Sequence, residues 1–134
     1  MLIEVSNYIS KIDPYQGGKP IKEVAREIGI PEEKIIKLAS NENPMGISPF
    51  AKKAINDASS EIHRYPDGNG YYLKEALSKK FLLDTRQIII GNGSNDILEL
   101  AARTFVSKGE QVLYSEHAFA VYKIVSQAVG GEGI

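Results

Sequence analysis

The sequence contains no cysteine, which excludes disulfides and thiolate zinc sites. Histidine is almost absent: His63 and His117 are far apart and lack the spacing of ligands on one helix face, so no metal centre is expected. No apolar run approaches the ~20 residues that span a bilayer. Residues 1–5 carry no basic cluster of the kind that opens a secretory leader, and cytoplasm is the expected location. An excess of either charge is also missing. The formal net charge is −1, with Lys and Arg interleaved among Asp and Glu. No basic tract offers a nucleic-acid surface, and no acidic tail suggests a solvating segment. The pairs Lys52-Lys53 and Lys79-Lys80 read as solvated helix faces. Neither nucleic acid nor membrane is an expected partner. What remains is 134 residues, 43% hydrophobic and 25% charged, an ordinary globular composition with length for a modest core.

Residues 1–19 show little periodicity and are broken by Pro14, Gly17 and Gly18, so they read as an irregular arm. Pro20 suits the first turn of a helix whose stripe is Ile21, Val24, Ala25 and Ile28, with Gly29 closing it and Pro31 blocking a restart. Residues 35–38 form a short extended run leading into the polar loop Ser40 to Pro44. Ser48 as N-cap and Pro49 at the first helical position open a second helix with Ala51, Ala54, Ile55 and Ala58 on one side. The segment His63 to Gly70 is a loop by composition. Leu73, Ala76, Leu77 and Phe81 then mark a further helix. A strand is expected at 87–90, a helix from about 94 to 106, a strand at 111–114 and a last helix over 118–129. Helices alternating with short buried strands predict a parallel α/β sheet. The last stripe stops at Gly130-Gly131, where the next strand is due, so the sequence reads as cut in mid-fold. Leu77, Phe81, Val125 and Val129 are then expected to lack full cover, which favours self-association.

Residues 88–106 carry the strongest chemical signal. A β-branched apolar run, Ile88-Ile89-Ile90, meets Gly91-Asn92-Gly93, and a helical stripe begins at once behind Ser94 and Asn95. The first amides of such a helix have no partner within it, and its dipole places positive charge there. An anion, most often phosphate, is the natural occupant. The dinucleotide fingerprint fails at its third glycine, since Asp96 stands there beside the position of a pyrophosphate. Glu116 does stand where a ribose-binding acid would. A Walker loop is excluded because no Gly-Lys-Ser/Thr follows. A glycine turn with a serine cap and no ligand fits the same residues.

Three further segments have a functional and a plain reading. Tyr114, Phe119 and Tyr122 lie within nine residues where a strand end feeds a helix, on the side where parallel sheets bind ligands. Phe119 there is suited to stacking on a planar cofactor; equally, Phe119 and Tyr122 fit a core. Arg64 and Tyr65 can donate to an anion, or belong to a turn stiffened by Pro66. Asn41 and Asn43 offer amides to a substrate, or make an Asx-rich turn.

Four ordered segments together resemble one family: Leu38 to Pro44, Arg64-Tyr65-Pro66-Asp67, Gly91 to Asp96, and His117 to Tyr122. They are similar to those of histidinol-phosphate aminotransferases, fold-type-I enzymes that use pyridoxal 5′-phosphate (PLP). The resemblance runs over nearly the whole chain. It implies an α/β fold, with residues 1–47 as arm and small-domain segment and 48–134 as the first part of a PLP-binding large domain. It implies a homodimer that moves an amino group from histidinol phosphate to 2-oxoglutarate (or from glutamate to imidazole-acetol phosphate in reverse) in histidine biosynthesis. It assigns the PLP phosphate to the backbone of Gly93, Ser94 and Asn95 and ring stacking to Phe119. Tyr65 would reach the phosphate of the neighbouring subunit's cofactor, and Tyr15 and Asn41 match positions near the substrate. The family's enzymes are much longer. The lysine that forms the Schiff base, the acid facing the pyridine nitrogen and the arginine for the substrate carboxylate lie beyond residue 134 in that pattern. No catalytic residue is therefore nominated: Lys11, Lys79 and Lys108 follow serines but lack the family's context, and the 134 residues alone are expected to be inactive. The alternatives are another fold-type-I aminotransferase or decarboxylase, a non-catalytic phosphate-binding or assembling fragment, and a dinucleotide-binding module, which Asp96 disfavours.

Overall fold

The structure is a computed structural model and describes residues 4–134, so the first three residues of the expected arm lie outside the described residues. The chain divides into two compact units, Gln16–Pro66 and a second made of Met1–Tyr15 with Asp67–Ile134.

In the Gln16–Pro66 unit, the first helix behaves as its punctuation dictates. Pro20 sits just ahead of helix α2 (Ile21–Ile28) with φ −59° and ψ 143°, and its carbonyl accepts from Glu23 and Val24. Gly29 closes the helix in the left-handed conformation at φ 69°, its N–H donating to the Ala25 carbonyl at 3.0 Å. That conformation is nearly free for glycine and costly for residues with a Cβ. Helix α3 (Pro49–Ala58) starts with Pro49 in its first turn, as expected. Ser48 occupies the N-cap position but makes no side-chain cap; its carbonyl accepts from Lys52 at 2.9 Å. The run 35–38 has no ladder partner among the described residues. Ile36 and Leu38 are exposed, as is Phe50 on α3.

The larger unit is built on a parallel β–α–β element. Strand β1 (Gln111–Val112) leads through helix α6 (Val121–Ala128) to strand β2 (Glu132–Gly133), with Gln111 opposite Glu132 and Val112 opposite Gly133. Parallel pairing is what a helical crossover between neighbouring strands requires. The strand due after Gly130-Gly131 therefore does form, contrary to the expectation that the chain stops short of it. Ile134 N–H donates to the Val112 carbonyl at 3.0 Å, and Tyr114 N–H to the Ile134 carbonyl at 3.2 Å. Helix α5 (Ser94–Phe105) packs on α6 around Ala102, Val121 and Ser126, the buried residues of that contact. Ser126 keeps its hydroxyl satisfied by donating to the Tyr122 carbonyl one turn back, at 2.7 Å. A short helix α1 (Asn7–Ser10) lies against α6, and α4 (Tyr71–Phe81) follows the loop ending at Gly70.

Two expected elements differ. Residues 87–90 are not a strand: Thr85–Gln87 form a 3₁₀ turn, and Ile88 then takes extended dihedrals, φ −113° and ψ 119°. An extended run becomes a strand only with a neighbour to bond, and the β1–β2 ladder is the sole one among the described residues. Ile89 is left 74% exposed. The last helix begins at Val121 rather than 118, because Ser115 to Ala118 close a turn of their own through a 3.0 Å bond. Among the described residues, no helix is long and apolar enough to cross a membrane.

Candidate functional site

The glycine loop meets its helix as the sequence suggests. Gly93 is the N-cap of α5, at φ 92° and ψ 176°, so Ser94, Asn95 and Asp96 make up the first turn. That backbone region is essentially glycine's alone. No serine cap closes this helix, and no protein acceptor among the described residues engages the amides of Gly93, Ser94 or Asn95. The Asp96 carboxylate is turned back into the loop, where its Oδ2 accepts from the Asn92 N–H at 3.0 Å. The carboxylate that counted against an anion here is thus engaged by the loop's own backbone N–H. Gly91 explains its own identity: a Cβ there would lie 2.8 Å from Asp96 Oδ2 and 2.8 Å from Ile97 Cδ1. The result is a helix start with open donors and its positive dipole end exposed, a geometry suited to a phosphate.

Phe119 lies in the turn entering α6, and its carbonyl accepts from Tyr122 N–H at 3.0 Å. The residue is 42% exposed and is not part of the core. Tyr15 meets it in a T-shaped contact, with centroids 5.9 Å apart and planes at 82°. The structure thus brings together two candidate residues separated by more than a hundred positions. Asp13 adds a second link, its carboxylate 3.1 Å from Lys123 Nζ.

The remaining two candidates belong to the Gln16–Pro66 unit. Tyr65 is fully exposed, and the preceding Arg64 pairs with Glu61 at 2.7 Å. Asn41 adopts the left-handed region at φ 49°, a conformation Asn tolerates better than most residues. Next to it, Asn43 Oδ1 accepts from the Met45 N–H at 3.0 Å while its Nδ2 donates to the Gly46 carbonyl at 2.9 Å. The plain turn reading therefore describes Asn43, whereas the Asn41 side chain makes no hydrogen bond among the described residues.

Two carboxylates escaped the sequence reading. Asp67 accepts from Tyr71 N–H at 2.8 Å and Asn69 N–H at 3.0 Å, closing the start of α4. Those bonds, Tyr71's first, hold its carboxyl below the usual aspartate value. Asp84 and Gln87 form a reciprocal capping box, a signature readable as Asp-x-x-Gln. The Arg86 guanidinium, followed by its backbone N–H, lowers the Asp84 carboxyl in the same way. Both groups organise backbone rather than a ligand. No cluster of metal-binding side chains occurs among the described residues.

The fold has a solved counterpart. The whole chain superposes on 35% of a histidinol-phosphate aminotransferase from Sinorhizobium meliloti, crystallised in complex with pyridoxal-5′-phosphate, with a TM-score of 0.83 at 24% identity. The fold is therefore that of part of a fold-type-I aminotransferase. Sequence comparison is more specific. The chain is 58% identical over 127 residues to histidinol-phosphate aminotransferase 2 of Nitrosospira multiformis, covering 95% of this chain and 32% of the relative. It is 56% identical over 126 residues to the enzyme of Methylobacillus flagellatus, covering 94% and 34%. No protein-family model matches it. By these comparisons the chain is similar to histidinol-phosphate aminotransferases, and it spans about a third of the length of the curated relatives it matches.

Proposed function

We propose that this chain is the phosphate-gripping first part of a cytoplasmic, homodimeric enzyme that transaminates histidinol phosphate with 2-oxoglutarate in histidine biosynthesis, using PLP. The observation that carries the reading is the N-terminus of α5, where the amides of Gly93, Ser94 and Asn95 stand without protein acceptors. The fit to PLP is chemical as well as familial: a phosphate matches the open amides, and Phe119 offers an accessible ring for a pyridine to stack on. When bound, PLP supplies an electron sink for the carbon that exchanges its amino group. The residues of this chain bind and orient. Gly93, Ser94 and Asn95 donate to the phosphate, and Phe119 limits the tilt of the ring. Tyr65 reaches the phosphate of the neighbouring subunit's cofactor, which its full exposure leaves it free to do. Tyr15 and Asn41 offer a phenol and an amide to the substrate. Residues 1–47 serve as arm and small-domain segment, and 48–134 as the first part of the large domain. The lysine that moves the proton lies in the region the relatives carry beyond the matched third.

The test is an assay of the full-length protein with PLP, 2-oxoglutarate and a series of amino donors, following glutamate. Histidinol phosphate should give the highest kcat/KM by at least an order of magnitude. A preference for phenylalanine or tyrosine would assign the site to another aminotransferase of the same fold. Absence of glutamate with every donor would refute transamination.

A further inference from the structure

We propose that Tyr15 is a positioning residue for Phe119, and that the arm clamps the stacking ring through an edge-to-face contact. The inference rests on the proposed function, since it concerns the ring that function assigns to PLP. Two contacts join the same two short segments. Tyr15 meets Phe119 at 5.9 Å with planes at 82°, and Asp13 pairs with Lys123 at 3.1 Å. The partners lie two residues apart on the arm and four apart at the entry to α6, Phe119 in the turn before that helix and Lys123 in its first turn. This is a two-point clamp across a sequence separation of about a hundred residues.

The two points are unequal. Asp13 and Lys123 side chains are 82% and 52% exposed, and an ion pair so open to water contributes little. Tyr15 therefore carries the effect. Phe119 is 42% exposed, so the surrounding core does not by itself fix its χ angles. A T-shaped neighbour restricts them, because the positive edge of one ring is held against the negative face of the other. The Tyr15 hydroxyl makes no hydrogen bond among the described residues, so the phenol remains available while the ring does the positioning. One side chain thereby links substrate contact to cofactor stacking.

The experiment titrates full-length protein with PLP, reading affinity and the induced circular dichroism of the bound chromophore. The variants are Tyr15→Leu, Tyr15→Phe, Phe119→Leu and the Tyr15→Leu/Phe119→Leu double. Tyr15→Leu should raise the PLP Kd about two- to tenfold and change the dichroic band, the range that one aromatic pair supplies. Tyr15→Phe keeps the ring and should restore both within about twofold of the parent. The double variant should bind no worse than Phe119→Leu alone, the non-additivity expected of a contacting pair. Should Tyr15→Leu fail to fold, Tyr15→Met takes its place with the same expectation. An unchanged Kd and band in Tyr15→Leu, with binding weakened in Phe119→Leu, would overturn the clamp and leave the stacking role intact. If Phe119→Leu also binds PLP like the parent, stacking itself is wrong and the clamp falls with it.

Discussion

Replacing Gly93 by alanine tests the anion site through the backbone alone. Gly93 sits at φ 92° and ψ 176°, and a Cβ there would meet nothing within 4 Å. Any cost therefore comes from the dihedrals, which for a residue with a Cβ amount to about 1–3 kcal/mol. The chain has two ways to respond. It can hold the turn and lose that much stability, with the amides of residues 93–95 still in place. Alternatively, φ can relax to a negative value, which swings those amides and surrenders the site. The second response lowers phosphate affinity by up to about 5- to 150-fold, the equivalent of the strain relieved. Gly109→Ala is the control: φ is 85° and the space is equally open, but the residue lies in the turn before β1. It should lower stability to a similar degree and leave phosphate affinity unchanged. Gly91→Ala acts differently, pressing a Cβ to 2.8 Å from Asp96 Oδ2 and from Ile97 Cδ1 at the helix start. Its expected cost is about 1–3 kcal/mol of overpacking. Urea unfolding and amide NMR shifts during titration with inorganic phosphate measure both quantities. A Gly93→Ala chain that is as stable as the parent and binds phosphate equally well would refute the argument.

Three further outcomes are expected. Because its carboxyl is held below the ordinary value of 3.8, Asp67 stabilises the start of α4 above that value, and the contribution disappears as pH falls through the lower folded value; Asp67→Asn should remove that acid dependence, as followed by exchange of the Tyr71 amide, and an unaltered pH profile would contradict the assignment. The chain should self-associate, since Ile89, Phe105 and Leu113 in one unit and Ile36, Leu38 and Phe50 in the other are large apolar side chains left exposed; a clean monomer by light scattering at micromolar concentration would contradict this. Incubating the 134 residues with PLP and reducing with borohydride should leave no stoichiometric pyridoxyl-lysine, and a single fully labelled lysine by mass spectrometry would show that the catalytic lysine had been sought in the wrong region.

Helices were readable because their determinants are local. The stripe and the Pro20 and Gly29 brackets of α2, Pro49 in α3, and the Gly-x-Gly entry to α5 all act within a turn of the residues they govern. The strand expected at 87–90 was not readable in that way. Its β-branched residues give extended backbone, but pairing is a property of a neighbour that the local sequence does not contain. The glycine loop was legible down to its open amides, whereas the direction of Asp96 was not: its carboxylate accepts from the Asn92 N–H. The Tyr15–Phe119 and Asp13–Lys123 contacts join segments over a hundred residues apart, and no periodicity announces them. The box at Asp84 and Gln87 carried a signal in its spacing, and the turn composition around Asp67 hinted at its capping role.

The central claim is that the α5 N-terminus holds the phosphate of PLP. A crystal structure of the full-length protein grown with PLP tests it most directly. The account predicts phosphate oxygens about 2.7–3.2 Å from the amide nitrogens of Gly93, Ser94 and Asn95, with the pyridine lying against Phe119. A phosphate bound elsewhere, with those three amides donating to protein acceptors, would contradict it.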